Sequence, residues 1–477
     1  MKLSDVLKLT RGKSFNFKEV KIKEIYDNSK EMKEGGLFIC MKGLRNDGHN
    51  FVKDAEKKGA VAFICQKKIE TQKPFILVKD STEALHKIAR EFYGPFDFKI
   101  IGITGTNGKT TSAFLIKKIL DIAGEKAGII TTLYASSNSE KIKTGFTCPP
   151  ALLLYKIFKK FKKNRVNWCV MEITSHALKL KRFYNFEITG GIFTNLSQDH
   201  LDFHKTMEDY YVSKRKMFEY IKDGIAAINI DDEYGKRLYR EIKCRKVSFG
   251  ESKNADFKGK IIRLHGKGME IEITGPSGKK KFLTSLIGKP NLTNILGVFS
   301  LISSMGFDEE NILKGIKVFE GVPGRFERVK NKRNYQIYID YAHTPDALKN
   351  VLSVLKELKP ERLIVVFGAG GNRDREKRPV MGKIASEIAD IVILTSDNPR
   401  FEEPFEIIED IRKGIKDDRK CLVIENRKEA IEKAINILKK RDILLIAGKG
   451  HEEYQEIKGV KYKFNDKRTV LEILGEK

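Results

Sequence analysis

A short glycine-rich loop between a strand and a helix restricts this chain more than any other feature. Residues 98–103 (Phe-Lys-Ile-Ile-Gly-Ile) are an apolar run of buried-strand character, and a helical pattern runs from Thr110 to about Ala123. Between them lies Gly105-Thr106-Asn107-Gly108-Lys109-Thr110-Thr111. Glycines let backbone N–H groups approach an anion, and the helix N-terminus adds positive potential. Lys109 can reach outer phosphates, and a threonine hydroxyl can ligate Mg²⁺. The residue five before Gly108 is Ile103, so the loop core is G-x-x-G-K-T rather than G-x-x-x-x-G-K-[ST]. Nucleotide binding follows, and the shorter loop points away from generic GTPases and motor ATPases.

At 477 residues the chain is long enough for about three domains of roughly 150 residues each. Apolar runs alternate with helical patterns, which predicts an α/β fold. In residues 1–97 the strand runs are 36–41, 61–65 and 75–78, with helical patterns at 50–58 and 81–93. Gly94-Pro95 reads as a linker. Residues 98–322 read as a central P-loop mononucleotide-binding domain with a parallel sheet, its further strands at 168–171 and 191–193. Gly321-Val-Pro-Gly324 reads as a second linker. Residues 323–477, with strands at 336–339, 362–367, 391–394 and 443–447, read as a Rossmann-like doubly wound domain.

Lys plus Arg number 91 against 64 Asp plus Glu, a net charge of +27. That raises nucleic acid, a membrane surface or anionic substrates as partners. A Lys-rich surface of the kind found in heat-adapted proteins gives the same figure. The most basic stretch, Tyr155 to Arg165, has Leu154, Ile157, Phe158 and Phe161 at helical spacing, so its lysines read as a solvated helix face. No apolar run of signal length follows the first lysine, and no stretch reaches the roughly 18 apolar residues of a membrane span. The 6 cysteines form no C-x-x-C pair. The expectation is a cytoplasmic protein with reduced thiols.

Three further clusters carry polar chemistry. Glu172 ends an apolar run in Met171-Glu-Ile-Thr-Ser-His176, where a second Mg²⁺ ligand belongs beside a phosphate-loop strand. Asn195-Leu-Ser-Gln-Asp-His-Leu-Asp-Phe-His204 follows another strand. Of the 8 histidines, His49, His176, His200, His204, His343 and His451 fall in polar, Gly- or Asp-rich loops, which points to function. His86 and His265 read as incidental. Lys214, by spacing alone, is one helix lysine among many.

GTNGKTT (105–111), MEITSHAL (171–178), TNLSQDHLDFH (194–204) and YYVSK (210–214) together resemble the Mur ligases, ATP-dependent amide-forming enzymes of cell-wall precursor synthesis. The likeness continues through GRFER (324–328), DYAHTP (340–345), FGAGGNRD (367–374), DNPR (397–400) and GKGHE (448–452). Asn28-Ser-Lys30 and Gly43-Leu-Arg-Asn-Asp-Gly-His49 extend it to the N-terminal segment. Within the family the chain looks like the MurE type, which adds a diamino acid to UDP-N-acetylmuramoyl-L-alanyl-D-glutamate.

The resemblance implies roles residue by residue. Gly105 to Thr111, Asn195, Asp340 and His343 would bind ATP. Thr110, Glu172, His200 and Lys214 would hold Mg²⁺, with Lys214 carboxylated on its amine to a carbamate, and Lys109 would join Glu172, His200 and Lys214 in catalysis. Ser29, Leu44, Arg45 and Asn46 would line a uridine-nucleotide site in the N-terminal domain. Thr147, Cys148, Thr174 and Arg182 would contact the muramoyl-peptide portion. Arg373, Asp397, Asn398, Pro399, Arg400, Gly448 and Glu452 would hold the incoming amino acid. Partners would be the UDP-linked muramoyl dipeptide, ATP and a diamino acid. Nucleic acid and a membrane span are not expected, and the chain is expected to be a monomer.

These roles make physical sense. A substrate carboxylate and ATP repel until cations neutralise the phosphates, after which an acyl phosphate can form. An amine then attacks it through a tetrahedral oxyanion. A carbamate turns Lys214 into an oxygen donor that a hard cation accepts. Arg400 can fork a carboxylate and Glu452 can pair with an ammonium, which favours meso-diaminopimelate over L-lysine. Three substrates on three domains imply that the C-terminal domain closes during turnover.

Some positions depart from the family's usual pattern. Thr147-Cys148-Pro149 replaces Thr-Thr-Pro, Asp466-Lys467-Arg468 replaces Asp-Arg-Glu, and Arg441 replaces the glycine before Asp442. They leave open an archaeal pseudomurein ligase with another UDP-linked acceptor and L-lysine. Folylpolyglutamate synthases fit less well, because they lack the DNPR and GKGHE motifs. A nucleic-acid-dependent P-loop ATPase is the reading that the charge alone suggests.

Overall fold

The structure, a computed structural model, describes residues 1–43, 46–138 and 140–476, without the side chain of Asp202. Leu44 and Arg45, both expected at the uridine site, lie outside the described residues. The chain folds as two compact units. One comprises Met1–Thr104, Gly124–Gly191 and His204–Gly224. The other comprises Gly105–Ala123, Ile192–Phe203 and Ile225–Lys477.

In the first unit a five-stranded sheet runs in the order Lys13–Phe15, Phe75–Leu77, Ala60–Cys65, Gly36–Ile39, Glu24–Tyr26. Its first pair is antiparallel and the rest are parallel. Ala60–Cys65 is buried at five of its six positions, as a parallel strand covered on both faces requires. The helix Ser81–Tyr93 starts at Asp80, whose carboxylate accepts the N–H groups of Thr82 and Glu83 at 2.7 and 3.2 Å.

The same unit carries Lys99–Thr104, Trp168–Glu172 and Ala127–Ile130 as neighbouring parallel strands. Ala135–Ser137 and Glu140–Ile142 continue from them in antiparallel fashion. The helix Ala151–Lys163 buries Leu154, Ile157, Phe158 and Phe161, while Lys159, Lys160, Lys162 and Lys163 are exposed. That is the solvated basic face expected from the spacing.

In the second unit, Ile225–Asn229, Arg245–Gly250 and Phe257–His265 are parallel neighbours. They lead into an antiparallel meander with Gly268–Gly275 and Gly278–Thr284. The parallel expectation passed over this meander. Its signal is a period of two: Met269, Ile271 and Ile273 are buried, and tight turns join the strands.

The C-terminal sheet runs Glu327–Arg328, Gln336–Asp340, Ile443–Ala447, Leu363–Phe367, Ile391–Leu394, Cys421–Val423. Only the first pair is antiparallel. Helices cover both faces, with Leu352, Met381 and Ile408 on one side and Ile431, Ile435 and Val470 on the other. The loops after these strands carry Asp340 to His343, Gly368 to Arg373, Asp397 to Arg400 and Gly448 to Glu452. Ligands of such sheets bind at the strands' carboxyl ends. A hairpin, Tyr454–Ile457 with Val460–Lys463, follows the last loop. No described helix is long and apolar enough to cross a membrane.

Candidate active site

The glycine-rich loop has the conformation its sequence requires. Gly105 and Gly108 have φ of +148° and +85°, where an L side chain is strained. A Cβ on Gly105 would lie 1.9 Å from Thr194 Oγ1, and one on Gly108 would lie 2.2 Å from Asn294 Oδ1. Gly108 also starts the helix Lys109–Ile122, which turns its first N–H groups towards the loop.

Asn195 holds the loop from the neighbouring segment. Its carbonyl accepts Thr106 N–H at 2.9 Å and its Oδ1 accepts Asn107 N–H at 2.9 Å. Thr194 Oγ1 donates to Asn107 O at 2.6 Å. Lys109 Nζ donates to the carbonyls of Gly105 and Thr106 at 2.9 and 2.7 Å, so its ammonium sits within the loop. Thr110 is buried and Thr111 half-buried. His200 is exposed, with Nε2 3.5 Å from Asp199 Oδ2 and a φ of +54°.

Ser197 Oγ donates to Asp346 Oδ2 at 3.2 Å, linking the polar loop to the start of the helix Pro345–Glu357. Asp340 uses both carboxylate oxygens to order its own surroundings: Phe326 N–H donates at 2.5 Å and Ala342 N–H at 2.8 Å. His343 is exposed, and its Nδ1 lies 2.8 Å from Tyr341 O.

In the first unit Glu172 is 1% exposed at the end of its strand. Thr132 donates to it from its N–H at 3.1 Å and from its hydroxyl at 3.4 Å. Thr132 Oγ1 also lies 3.0 Å from Thr147 Oγ1, so three polar groups form one chain. Thr132 was not singled out from the sequence. Its signal is a hydroxyl pair, Thr131-Thr132, directly after the strand Ala127–Ile130.

Thr174 caps the short helix Ser175–Lys179. Ser175 Oγ lies 2.9 Å from His204 Nε2, and His204 Nδ1 lies 3.4 Å from Asp209 Oδ2. Burial holds the His204 imidazole below its usual pKa. Lys214, on the helix Met207–Arg215, is 2% exposed with its Nζ 4.5 Å from the centre of the Tyr210 ring. Cys148 is buried, which pushes its thiol up to about 12. Arg182 rests on the ring of Phe146 at 5.4 Å. Ser29 is buried and its carbonyl accepts Lys58 Nζ at 3.1 Å, whereas Asn46 is exposed.

The C-terminal loops converge more tightly. Asn398 Nδ2 donates to Glu452 Oε2 at 2.8 Å, and Asn398 Oδ1 accepts from Lys449 Nζ at 3.1 Å and from Glu456 N–H at 2.9 Å. Lys449 Nζ also donates to Glu452 Oε2 at 2.9 Å. Gly448 has a φ of +110°, and a Cβ there would meet Asp397 Oδ2 at 2.6 Å. Arg400 Nη1 donates to Gly371 O at 2.6 Å. Pro399 is buried and Arg373 exposed.

Arg378 is fully buried, and it forks onto both oxygens of Glu402 at 2.9 and 3.0 Å and reaches Asp410 at 3.0 Å. It thereby ties the start of the helix Lys377–Ile388, just after Arg373, to the segment after Arg400. Lys449 sits inside the GKGHE run, where no role was assigned to it, and Arg378 escaped the sequence reading because Glu402 and Asp410 lie 24 and 32 residues away. Asp466, the one residue that keeps to the usual pattern in Asp466-Lys467-Arg468, makes a buried two-pronged pair with Arg427 at 2.8 and 2.9 Å.

A glycine-rich loop opening a helix, a buried carboxylate at a strand end and polar loops at the carboxyl edge of a Rossmann-like sheet define a nucleotide-using α/β enzyme. Sequence similarity narrows the class. Residues 21–93 match the Mur ligase family catalytic domain, 103–302 the Mur ligase middle domain, and 324–450 the Mur ligase glutamate ligase domain. A UDP-N-acetylmuramoyl-L-alanyl-D-glutamate--2,6-diaminopimelate ligase of Aquifex aeolicus is 46% identical, over 95% of this chain and 94% of that protein. One of the same description from Clostridium tetani is 43% identical over 100% of both. A solved structure, also of a UDP-N-acetylmuramoyl-L-alanyl-D-glutamate--2,6-diaminopimelate ligase, superposes with a TM-score of 0.70 at 29% identity, covering 95% of each chain. The chain belongs to the Mur ligase family.

Proposed function

We propose that the chain is an ATP-dependent ligase that joins meso-diaminopimelate to UDP-N-acetylmuramoyl-L-alanyl-D-glutamate. The observation that carries this is similarity to diaminopimelate ligases over the whole length, 46% over 95% of the chain. It favours this reading over the pseudomurein, folylpolyglutamate and nucleic-acid alternatives.

The loop N–H groups and Lys109 bind the ATP phosphates, with Asn195 fixing the loop. Asp340 orders the segment around Phe326 and Ala342 at the nucleotide end. Ser29, Asn46, Thr147, Cys148, Thr174 and Arg182 bind the UDP-linked acceptor. Arg373, Asp397 to Arg400, Gly448 and Glu452 hold the amino acid, whose amine displaces phosphate from the acyl phosphate.

The donor chemistry fits Mg²⁺. Glu172 offers a hard carboxylate that is 1% exposed. Lys214 is equally withdrawn from water, at 2% exposure, and as a carbamate it would offer another hard oxygen donor. In the second unit the Thr110 hydroxyl and the His200 imidazole are the proposed ligands. When bound, Mg²⁺ supplies charge neutralisation for the phosphates.

Purified protein should release ADP and phosphate only when the UDP-linked dipeptide and a diamino acid are both present. ATP turnover independent of either would sink the proposal.

A further inference from the structure

We propose that Asn229 and Asp232 are positioning residues for ATP: they hold the segment Thr194 to Ser197, and that segment holds the phosphate loop. The inference rests on the ATP-binding part of the reading above. Both residues lie in Asn229-Ile230-Asp231-Asp232, a run outside every motif of the nucleotide site.

Thr194 to Ser197 continues the buried strand Gly190–Phe193 past its carboxyl end. Backbone groups of an extended segment alternate between its two edges. One edge faces the phosphate loop: Asn195 O accepts Thr106 N–H at 2.9 Å, and Ser197 N–H donates to Thr106 Oγ1 at 3.1 Å. The other edge faces residues 229 to 232. Asn229 Nδ2 donates to Thr194 O at 2.7 Å, and Asp232 Oδ2 accepts Leu196 N–H at 2.9 Å. The segment is thus fastened along both edges, to the loop on one and to this turn on the other.

The turn is itself tightly built. Asn229 ends the strand Ile225–Asn229 and is 5% exposed. Its Oδ1 accepts Asp231 N–H at 3.0 Å. Asp232 caps the helix Glu233–Glu241, with Oδ1 accepting Gly235 N–H at 2.9 Å. A Cβ on Gly235 would lie 1.8 Å from Asn229 O, so glycine lets the helix start this close to the strand.

Backbone N–H groups hold a phosphate best when their directions are set before it arrives, and a loop that must be ordered on binding loses affinity. Asn195 ties down the N–H groups of Thr106 and Asn107, which fixes the loop's path and so where its remaining N–H groups point. Asn195 in turn stands where Thr194 and Leu196 place it. Asn229 and Asp232 set that placement through the backbone, so they act on ATP at one remove. The groups proposed for the acceptor, Thr147, Thr174 and Arg182, lie in the other unit.

The test uses two near-isosteric exchanges, N229D and D232N, in the full chain. N229D sets a carboxylate against Thr194 O, and D232N sets an amide NH₂ where Leu196 and Gly235 need acceptors. Dissociation constants for a non-hydrolysable ATP analogue with Mg²⁺ and for the UDP-linked dipeptide are measured by calorimetry, beside the melting temperature. Nucleotide affinity should fall by about tenfold or more in each variant, the usual effect of leaving a buried polar group unpaired. Dipeptide affinity should stay put. A lower melting temperature with wild-type nucleotide affinity would mean that the turn serves only the fold, and the inference is overturned. Equal loss of both ligands overturns it as well. Should either variant fail to fold, the other decides on the same criteria. The binding measurement needs no turnover, so a wild type that binds ATP but does not join the amino acid overturns the ligase reading alone. A wild type that binds no ATP overturns both.

Discussion

His86 shows how one buried side chain can make stability depend on pH. It is 4% exposed, with Nε2 2.8 Å from Lys181 O and Nδ1 3.1 Å from Tyr155 OH. A carbonyl needs a donor, so Nε2 carries the proton and Nδ1 accepts. Burial, aided by nearby Arg90, lowers its pKa from 6.5 to about 4. Between those values the unfolded chain binds a proton that the folded chain does not. Stability therefore falls as pH drops from about 6.5 towards 4, by roughly 3 kcal/mol if the full shift acts. Urea unfolding of the wild type and H86Q across this range checks it. The variant should be weaker at pH 7 and show a flatter pH dependence, and parallel curves would refute the assignment.

Single residues also mark where the sequence stopped being readable. His86 looked incidental there, because its partners Tyr155 and Lys181 lie 69 and 95 residues away. By spacing Lys214 looked like any helix lysine; the YYVSK likeness singled it out, and in the fold its 2% exposure sets it apart physically. Glu456 gave no signal at all, since its ion pair with Arg400, 56 residues away in the chain at 3.4 Å in space, exists only in the fold.

At the scale of elements, local chemistry was legible wherever it dictates the backbone. The phosphate loop is the clearest case, because its glycines adopt conformations that other residues resist. The parallel strands of the C-terminal sheet were legible for a similar reason: covered on both faces, they are continuous apolar runs. The meander from Phe257 to Thr284 was harder to read, since its lysine-rich outer face dilutes the apolar signal. The loop supports a direct test. In G108A the new Cβ would sit 2.2 Å from Asn294 Oδ1, at a φ of +85°. Strain of this kind costs about 1–3 kcal/mol. ATP affinity, measured by calorimetry, should fall by about tenfold or more, since each 1.4 kcal/mol is tenfold. Wild-type affinity in G108A would mean that the phosphates bind elsewhere.

For the whole molecule the question is what the net charge of +27 does. Part of the basic surface is paired where it stands. Glu272 gathers Lys260, Lys279 and Lys281 at 3.3, 3.5 and 3.5 Å. The lysines of the helix Ala151–Lys163 lie on its solvated face, above a buried apolar stripe. The cations assigned to substrates, Lys109, Arg182, Arg373 and Arg400, are few beside 91 Lys and Arg. The excess is thus a property of the surface rather than of the site. A diffuse positive surface attracts DNA at low salt, and that attraction collapses steeply as added salt lowers the entropy gained when binding releases the DNA's counterions. Duplex DNA should therefore bind weakly at low ionic strength, let go near 0.15 M salt, and leave ATP turnover unchanged in the complete ligase assay. A filter-binding salt titration beside that assay measures both. DNA that stayed bound at physiological salt and raised turnover would return the charge to the active chemistry, and would put a nucleic-acid partner where the ligase reading has none.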